Sequence, residues 1–411
     1  LSNTDPNSPI AYRSPRSADA PLRLDTPSFA ADPHRAYADM RQHGPLAPVE
    51  LAPGVPATLV IGYQVAVQIL NDEAHFPADS RRWEANAGPD CPLVPVLGYH
   101  KNALRTAGQE HERYRRTIIA ALETVDLHKV HDAVARAAEA LINSFCERGT
   151  ADLRMDYAYP LTFRVLSELM GFPEDAAAEA YEGLAAMLEG TGAEEGQRRF
   201  VEALMGVVHR KQAEPGDDLT SRLLGHPDGL DVMEMVYQSA LLFSMGTEPA
   251  CNLILNALLL LMTDEQYGGE VLSGAMATRD AIDAVLFEDP PLANWCVSYP
   301  RQPQLVGDTW LPADQPVLIS LAACNNDPAV SGGDRRGNRS HLAWGAGPHA
   351  CPAQPLALTI ASQAIDLLLD ALPDIRPQTP AQQLDWRPGQ FHRALATLPV
   401  LFPACPPMHL G

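Results

Sequence analysis

The sequence predicts a mainly helical chain with small β-sheets, built round one long central helix. Three observations predict it. Between 108 and about 285, apolar residues recur at three- and four-residue spacing. One segment of that region, 230–262, is apolar on most faces, as expected of a helix buried nearly all round. By contrast, residues 22–76 and the stretch after 296 contain short alternating runs broken by turns, the pattern of small strands. No boundary would let two parts fold alone. Residues 22–411 are therefore expected to form a single domain, with 1–21 as a flexible N-terminal tail.

The elements follow in chain order. A helix is expected at about 33–43, and strands in PLAPVELAP and ATLVIGY. Residues 77–104 are rich in Pro and Gly and predict a long functional loop. Helices are predicted at 111–124, 128–148, 158–170, 175–190, 195–212, 217–225, 230–262 and 277–287. Gly149 and the turns GFPED and EPGDD punctuate them. WCVSYPRQPQLVGDTWLPADQPVLISLAA then predicts short strands, followed by the meander DPAVSGGDRRGNRS. A last helix is expected at about 353–371, and irregular strands over 385–407.

Composition excludes several functions. Apolar residues are 46% of the 411, enough for a sizeable core. Thirty basic residues against 51 acidic give a formal charge of −21, which argues against binding nucleic acid or an anionic membrane. The seven cysteines form no CxxC pair, so they fit a reducing cytosol better than a disulfide framework. The first residues contain no apolar run of the secretory kind. The run Leu253–Met262 is too short to span a bilayer. A cytoplasmic protein without a membrane segment is expected.

One stretch carries chemistry: HLAWGAGPHACPAQP, residues 341–355. Gly345, Gly347 and Pro348 make a tight turn, and Cys351 falls at a helix N-terminus, where amides and dipole favour a thiolate. Such a thiolate on a glycine turn could occupy one axial site of a haem iron. A buried structural thiol is the commoner fate of any cysteine. A nucleophile lacks a His–Asn partner pattern, and a zinc site lacks neighbouring ligands at the right spacing.

WGAGPHACPAQPLA resembles the haem-binding loop of the cytochrome P450 superfamily. Trp344, Gly345, Gly347, His349 and Cys351 fall in register with it, and Ala353 stands for its last glycine. HERYRR, 111–116, resembles the family's C helix, and His111 and Arg115 match its pair of haem-propionate ligands. Their four-residue spacing puts both on one helical face. EPGDDLTSRLL, DPP at 289–291 and LAACNNDP at 321–328 resemble further landmarks, so the resemblance covers roughly 30–407. It implies the P450 fold, with haem b lying between the long central helix and the cysteine loop with its following helix. It also implies Cys351 as the iron ligand and a ferredoxin with its reductase as electron donors. Arg113, Arg115, Arg116 and Lys129 either offer the ferredoxin a basic patch or form an ordinary charged helix face.

Two departures stand out. The family's K-helix Glu-x-x-Arg is replaced in IDAVLFEDPP by Ala284 and Phe287. The ion pair is expected to be absent and replaced by apolar packing, leaving Arg335, Arg336 or Arg339 without its usual partner. On the central helix, Gly246 and Glu248 hold register but Pro249 replaces the family's alcohol. A mid-helix proline is expected to kink or open the helix near Met245. Thr247 points about 100° away from Glu248 and is not expected to substitute. Glu248 is the candidate catalytic acid. Trp83, Leu93, Val96, Met187, Leu242, Met245, Gly246 and Pro249 are the candidate pocket residues.

The implied function is oxidation of a small organic or peptide substrate in bacterial secondary metabolism. Hydroxylation or epoxidation is one form of it. Oxidative crosslinking of an aromatic peptide or natural product is another, suggested by the missing alcohol. The alternative is a degenerate homologue that binds or recruits a partner without turnover.

Overall fold

The computed structural model describes residues 21–88, 90–189, 193–332 and 337–409. The expected tail, 1–21, lies almost wholly outside them, as do Arg335 and Arg336. The N-terminal part pairs the short helices α1 (Pro27–Ala31), α2 (Pro33–Arg41) and α3 (Tyr63–Leu70) with the first strands. A five-stranded sheet has the order β1-β2-β3-β8-β5. Its strands are β1 (Leu22–Arg23), β2 (Leu46–Ala52), β3 (Val55–Val60), β5 (Asn294–Ser298) and β8 (Val317–Ser320). Between the last two, β6 (Gln304–Val306) and β7 (Thr309–Leu311) form a hairpin. A third sheet joins β4 (Thr150–Asp152), β10 (Pro399–Leu401) and β9 (Arg376–Pro377). The short strands after 296 are thus where the alternating pattern predicts them.

Residues 77–104 are not the uninterrupted loop that their Pro and Gly content predicts. They contain α4 (Arg81–Ala87) and α5 (Val94–Leu97), the latter with Pro95 in its first turn, where no intrahelical N–H is needed. The helical core then runs α6 (Gly108–Leu122), α7 (Leu127–Phe145), α8 (Tyr159–Met170), α9 (Glu174–Glu189), α10 (Ala193–Ala213) and α11 (Leu219–Leu224). The central helix is α12 (Val232–Thr263), followed by α13 (Glu265–Leu272) and α14 (Thr278–Glu288). The turn helix α15 (Leu321–Asn325) and the long α16 (Gln354–Ala371) complete the domain.

Helix α12 is long and apolar enough to cross a membrane by length and composition, but it packs inside the domain against α8, α10, α14 and α16. Burial all round holds only for its second half, where Ala250 to Leu258 are all buried. Nor does the helix open near Met245, for it is continuous through Pro249. Its start is fixed by a capping box, in which Asp231 accepts from the Glu234 amide and Glu234 accepts from the Asp231 amide, both at 2.8 Å.

The pairing expected to be lost at the K-helix position is kept in another form. Asp283 on α14, 5% exposed, takes Arg279 from one turn earlier at 2.9 Å and Arg339 from the meander at 3.2 Å. His341 Nε2 lies 3.8 Å from it. Arg339 has therefore not lost its partner. Phe287 does pack as an apolar residue, edge-on to His341 at 5.1 Å. The side chains of Asn325 and Asn326 take up the α14 carbonyls of Leu286 and Phe287, at 2.9 and 3.1 Å. The Asn325 side chain also accepts the Leu342 amide at 2.7 Å, so one residue joins α14 to the start of the cysteine loop.

Burial raises the Asp283 pKa, but His341 and Arg279 outweigh it and hold the carboxyl below its usual range. A lowered folded-state pKa contributes stability above the unfolded carboxyl value and loses it as pH falls through the folded value. Asp283→Ala should cost roughly 2–3 kcal/mol at pH 7 by urea unfolding. The gap from wild type should narrow below about pH 4, where the unfolded carboxyl takes up its proton.

Candidate functional site

The cysteine loop is a closed turn. The Cys351 amide donates to Trp344 O at 2.7 Å, the Gly345 amide to Leu342 O at 2.8 Å and the Ala350 amide to Gly347 O at 3.1 Å. Gly345 and Gly347 both have positive φ, +70° and +68°. They serve different ends. A Cβ on Gly347 would lie 2.1 Å from Leu70 O, so this glycine lets the loop pack on the end of α3. A Cβ on Gly345 would lie 3.4 Å from Cys296 Sγ, so this glycine faces β5. Cys351 sits three residues before α16 and is half-buried. Burial raises its pKa, and the Ala353 amide and Arg115 only partly oppose this. The helix N-terminus alone does not make a thiolate here. Metal coordination would, since a coordinating thiol gives up its proton outright.

Helix α6 supplies a guanidinium and an imidazole. Arg115 is half-buried and donates to Ala350 O, one residue from Cys351. His111 is 3% exposed and stacks on His349 of the loop, ring centroids 3.9 Å apart. Nε2 of each imidazole is buried and has no hydrogen-bond partner. Burial, then His349, lowers the His111 pKa to about 4, with Glu73 opposing. Glu73 is the residue the sequence did not suggest. Its Oε1 is 3.6 Å from His111 Nδ1 and 3.6 Å from His349 Nε2, and it accepts the Gly108 amide at 3.1 Å. Three or more residues of this kind can hold a metal ion, but two nearly parallel imidazoles cannot both aim in-plane lone pairs at one metal.

On the central helix, Leu242, Met245, Gly246, Glu248 and Pro249 are half-buried in the middle of α12, while Phe243, Thr247 and Ala250 are buried. The half-exposed residues include a stripe at i, i+3 and i+7, which leaves Leu242, Met245 and Pro249 on one open face. Gly246 instead marks close packing on α8, since a Cβ there would be 2.9 Å from Leu166 Cδ1. The Thr247 hydroxyl donates to Phe243 O at 2.8 Å, so it does not replace the missing alcohol. Glu248 is not a free acid. Its Oε1 pairs with Arg387 of the C-terminal segment, and Oε2 is buried without a partner.

Other expected pocket residues fall elsewhere. Trp83 and Leu93 are buried in the core behind the five-stranded sheet, Trp83 against Tyr299 at 5.8 Å. Val96 is 43% exposed on the surface. The Met187 side chain lies outside the described residues. The expected basic patch is neutralised. Arg113 pairs with Glu234 at 2.8 Å, Arg116 with Asp228 at 2.9 Å and Lys129 with Asp217 at 2.9 Å, while Arg115 points inward.

No family model matches the chain. Curated relatives do. Cytochrome P450 107B1 of Saccharopolyspora erythraea is 29% identical over 391 residues, covering 91% of this chain and 96% of its own length. The 2-hydroxy-5-methyl-1-naphthoate 7-hydroxylase of Streptomyces carzinostaticus is 26% identical, covering 92% and 97%. Testosterone-bound CYP154C4 of a Streptomyces species superposes with a TM-score of 0.85 at 27% identity, over 94% of this chain and 99% of that one. The chain belongs to the cytochrome P450 superfamily.

As a cytochrome P450 it is an oxidoreductase with haem b as cofactor. The residues present fit that group. A thiol, an inward guanidinium, two orphaned imidazole nitrogens and a buried, unpartnered Trp344 Nε1 converge round the glycine loop. A haem carries an iron for the first and two carboxylates for the nitrogen donors. The structure brings Cys351, Arg115, His111 and His349 together, and adds Glu73, which the resemblance does not name and which lies on a separate turn after α3. Glu73→Ala removes the acceptor of the Gly108 amide, which opens the helix that carries His111 and Arg115, and should speed haem transfer to apomyoglobin roughly tenfold, the scale of one charge-assisted hydrogen bond.

Proposed function

We propose that this P450 oxidises a small organic or peptide molecule of bacterial secondary metabolism. Cys351 serves as proximal iron ligand, His111, Arg115 and His349 hold the haem carboxylates, and Leu242, Met245 and Pro249 line the substrate side. Carrying this reading is the convergence of Cys351, Arg115 and the stacked His111–His349 pair at the glycine loop. Bound haem supplies activation of dioxygen at an iron held by thiolate. What remains is the work of side chains. Arg115 and the two imidazoles orient the group, and the apolar stripe receives the substrate and limits water.

Proton supply at this turn differs from the family pattern. Pro249 has no hydroxyl and Thr247 is tied to its own helix. Glu248 is fixed by Arg387, and its buried Oε2 is the acceptor on this turn best suited to hold a relaying water. A substrate with its own phenolic or indolic proton needs less from the protein. That favours oxidative aryl crosslinking as a second reading beside hydroxylation or epoxidation, the reaction of relatives named as hydroxylases. Electrons come from a soluble ferredoxin and its reductase in a cytoplasmic setting, and the ferredoxin docks by shape more than by a free basic patch.

Three measurements test the proposal. The reduced protein under carbon monoxide should show the thiolate-type Soret band, and Cys351→Ala should abolish it. A band of the neutral-thiol or histidine type, or no haem at all, would leave only a binding protein. Turnover should add one oxygen for hydroxylation, whereas crosslinking removes two hydrogens and adds no oxygen.

A further inference from the structure

Arg105 is 1% exposed and heads the fully buried side chains by size. Its Nε and Nη2 both donate to a single carbonyl, Val96 O, at 3.3 and 3.0 Å. Its Nη1 is buried with no partner. Among the described residues no carboxylate pairs with it. A guanidinium does not lose its proton in a protein, and an uncompensated buried charge costs several kcal/mol. Arginine at this position is therefore expensive unless an anion arrives.

The surroundings indicate where that anion would lie. The guanidinium is 5.2 Å from the ring centroid of Trp295 on β5. Trp295 and its neighbour Cys296 are both half-buried, so they line open space. Cys296 faces Gly345 of the cysteine loop, and it has a left-handed backbone (φ +53°) within a stretch of β5 where the pairing register shifts. That strained backbone turns the thiol toward the loop. The unpartnered guanidinium thus sits against the strand that borders the haem site. Burial lowers the Arg105 pKa, with only Tyr299 and Cys296 as weak opposing charges.

We propose that Arg105 is a carboxylate-binding residue at the edge of the haem site, its Nη1 donating to a carboxylate of the haem or of the substrate. The proposal rests on the haem reading above. Planar guanidinium and carboxylate match in geometry, and a charge-assisted pair there would discharge the cost of burial. Both sources present the same group, so they are separated by experiment.

Haem-loaded wild type, Arg105→Met and Arg105→Lys are compared, with the wild-type thiolate band under carbon monoxide as the control. Its absence would count against the haem reading, before any variant is considered. Two properties are then read: haem transfer to apomyoglobin, and the spin-state titration with 4-phenylbutyrate against its methyl ester. If the haem supplies the carboxylate, Arg105→Met should transfer haem about tenfold faster, with Arg105→Lys in between. If the substrate supplies it, haem transfer stays at the wild-type rate. Wild type should then prefer the acid over the ester, and Arg105→Met should lose that preference by about tenfold. Wild-type behaviour of Arg105→Met in both properties overturns the proposal. Should Arg105→Met fail to fold, Arg105→Lys decides: it shortens the reach and removes the planar fork, so unchanged haem transfer and unchanged acid preference overturn the proposal equally.

Discussion

The geometry of the site depends on one carboxylate that never enters it. Glu234 closes the capping box of α12 and accepts both Arg113 and Tyr114 of α6, at 2.8–2.9 Å. Arg113, first of all, holds the Glu234 pKa down to about 2, so the clamp is charged under any physiological condition. On α6, Arg113 lies about 200° round the axis from His111. Gripping one side of the helix therefore fixes what the other side presents. His111 and Arg115, about 40° apart, are turned toward the cysteine loop. Without that clamp a helix rotation of one residue, about 100°, would carry both side chains away from Cys351.

A second constraint is the balance of charge round the loop. His111, His349 and Arg115 gather within reach of a thiol whose own pKa is raised by burial. The chain provides one carboxylate among them, Glu73, and that carboxylate is half-occupied by the Gly108 amide. Two buried charges away from the site are compensated. Asp283 has Arg279 and Arg339, and Arg393 is paired with Asp289 at 3.1 Å and stacked on Trp386. Round the loop, by contrast, anions are short. A cofactor with two carboxylates and a metal that takes up a thiolate supplies what is missing.

Patterns that repeat were legible in the sequence. The helices from α6 to α12, and then α14 and α16, lie within a few residues of their periodic segments, since each must bury a face. The cysteine loop was legible because its spacing is tight and local. Pairings that cross the chain were not. Asp283 finds its arginine four residues before it rather than three after, and its second 56 residues later. Glu73 is 38 residues from His111 and looks like any loop acid. Proline and glycine hid α4 and α5, because proline in a first turn and glycine after a last one are as compatible with short helices as with loops. Trp83 and Val96 were misplaced for the same reason: a loop of unknown shape gives no direction to its side chains.

Pro249 shows how a local violation can be tolerated and used. It has no N–H, so Met245 O, one turn earlier, loses its helical donor. In a sealed core that carbonyl would cost the full penalty of an unpaired acceptor. Here Met245 and Pro249 both lie on the half-exposed stripe of α12, where water or a ligand can reach them. The buried turn behind them is held by Thr247 bonded to Phe243 O and by Asn252 reaching Glu248 at 3.4 Å, and the helix continues unbroken. The substitution thus exchanges a donor–acceptor hydroxyl for a bare carbonyl acceptor on the half-exposed stripe. A site altered in this way can still receive a proton from what it binds, but it has less of its own to give.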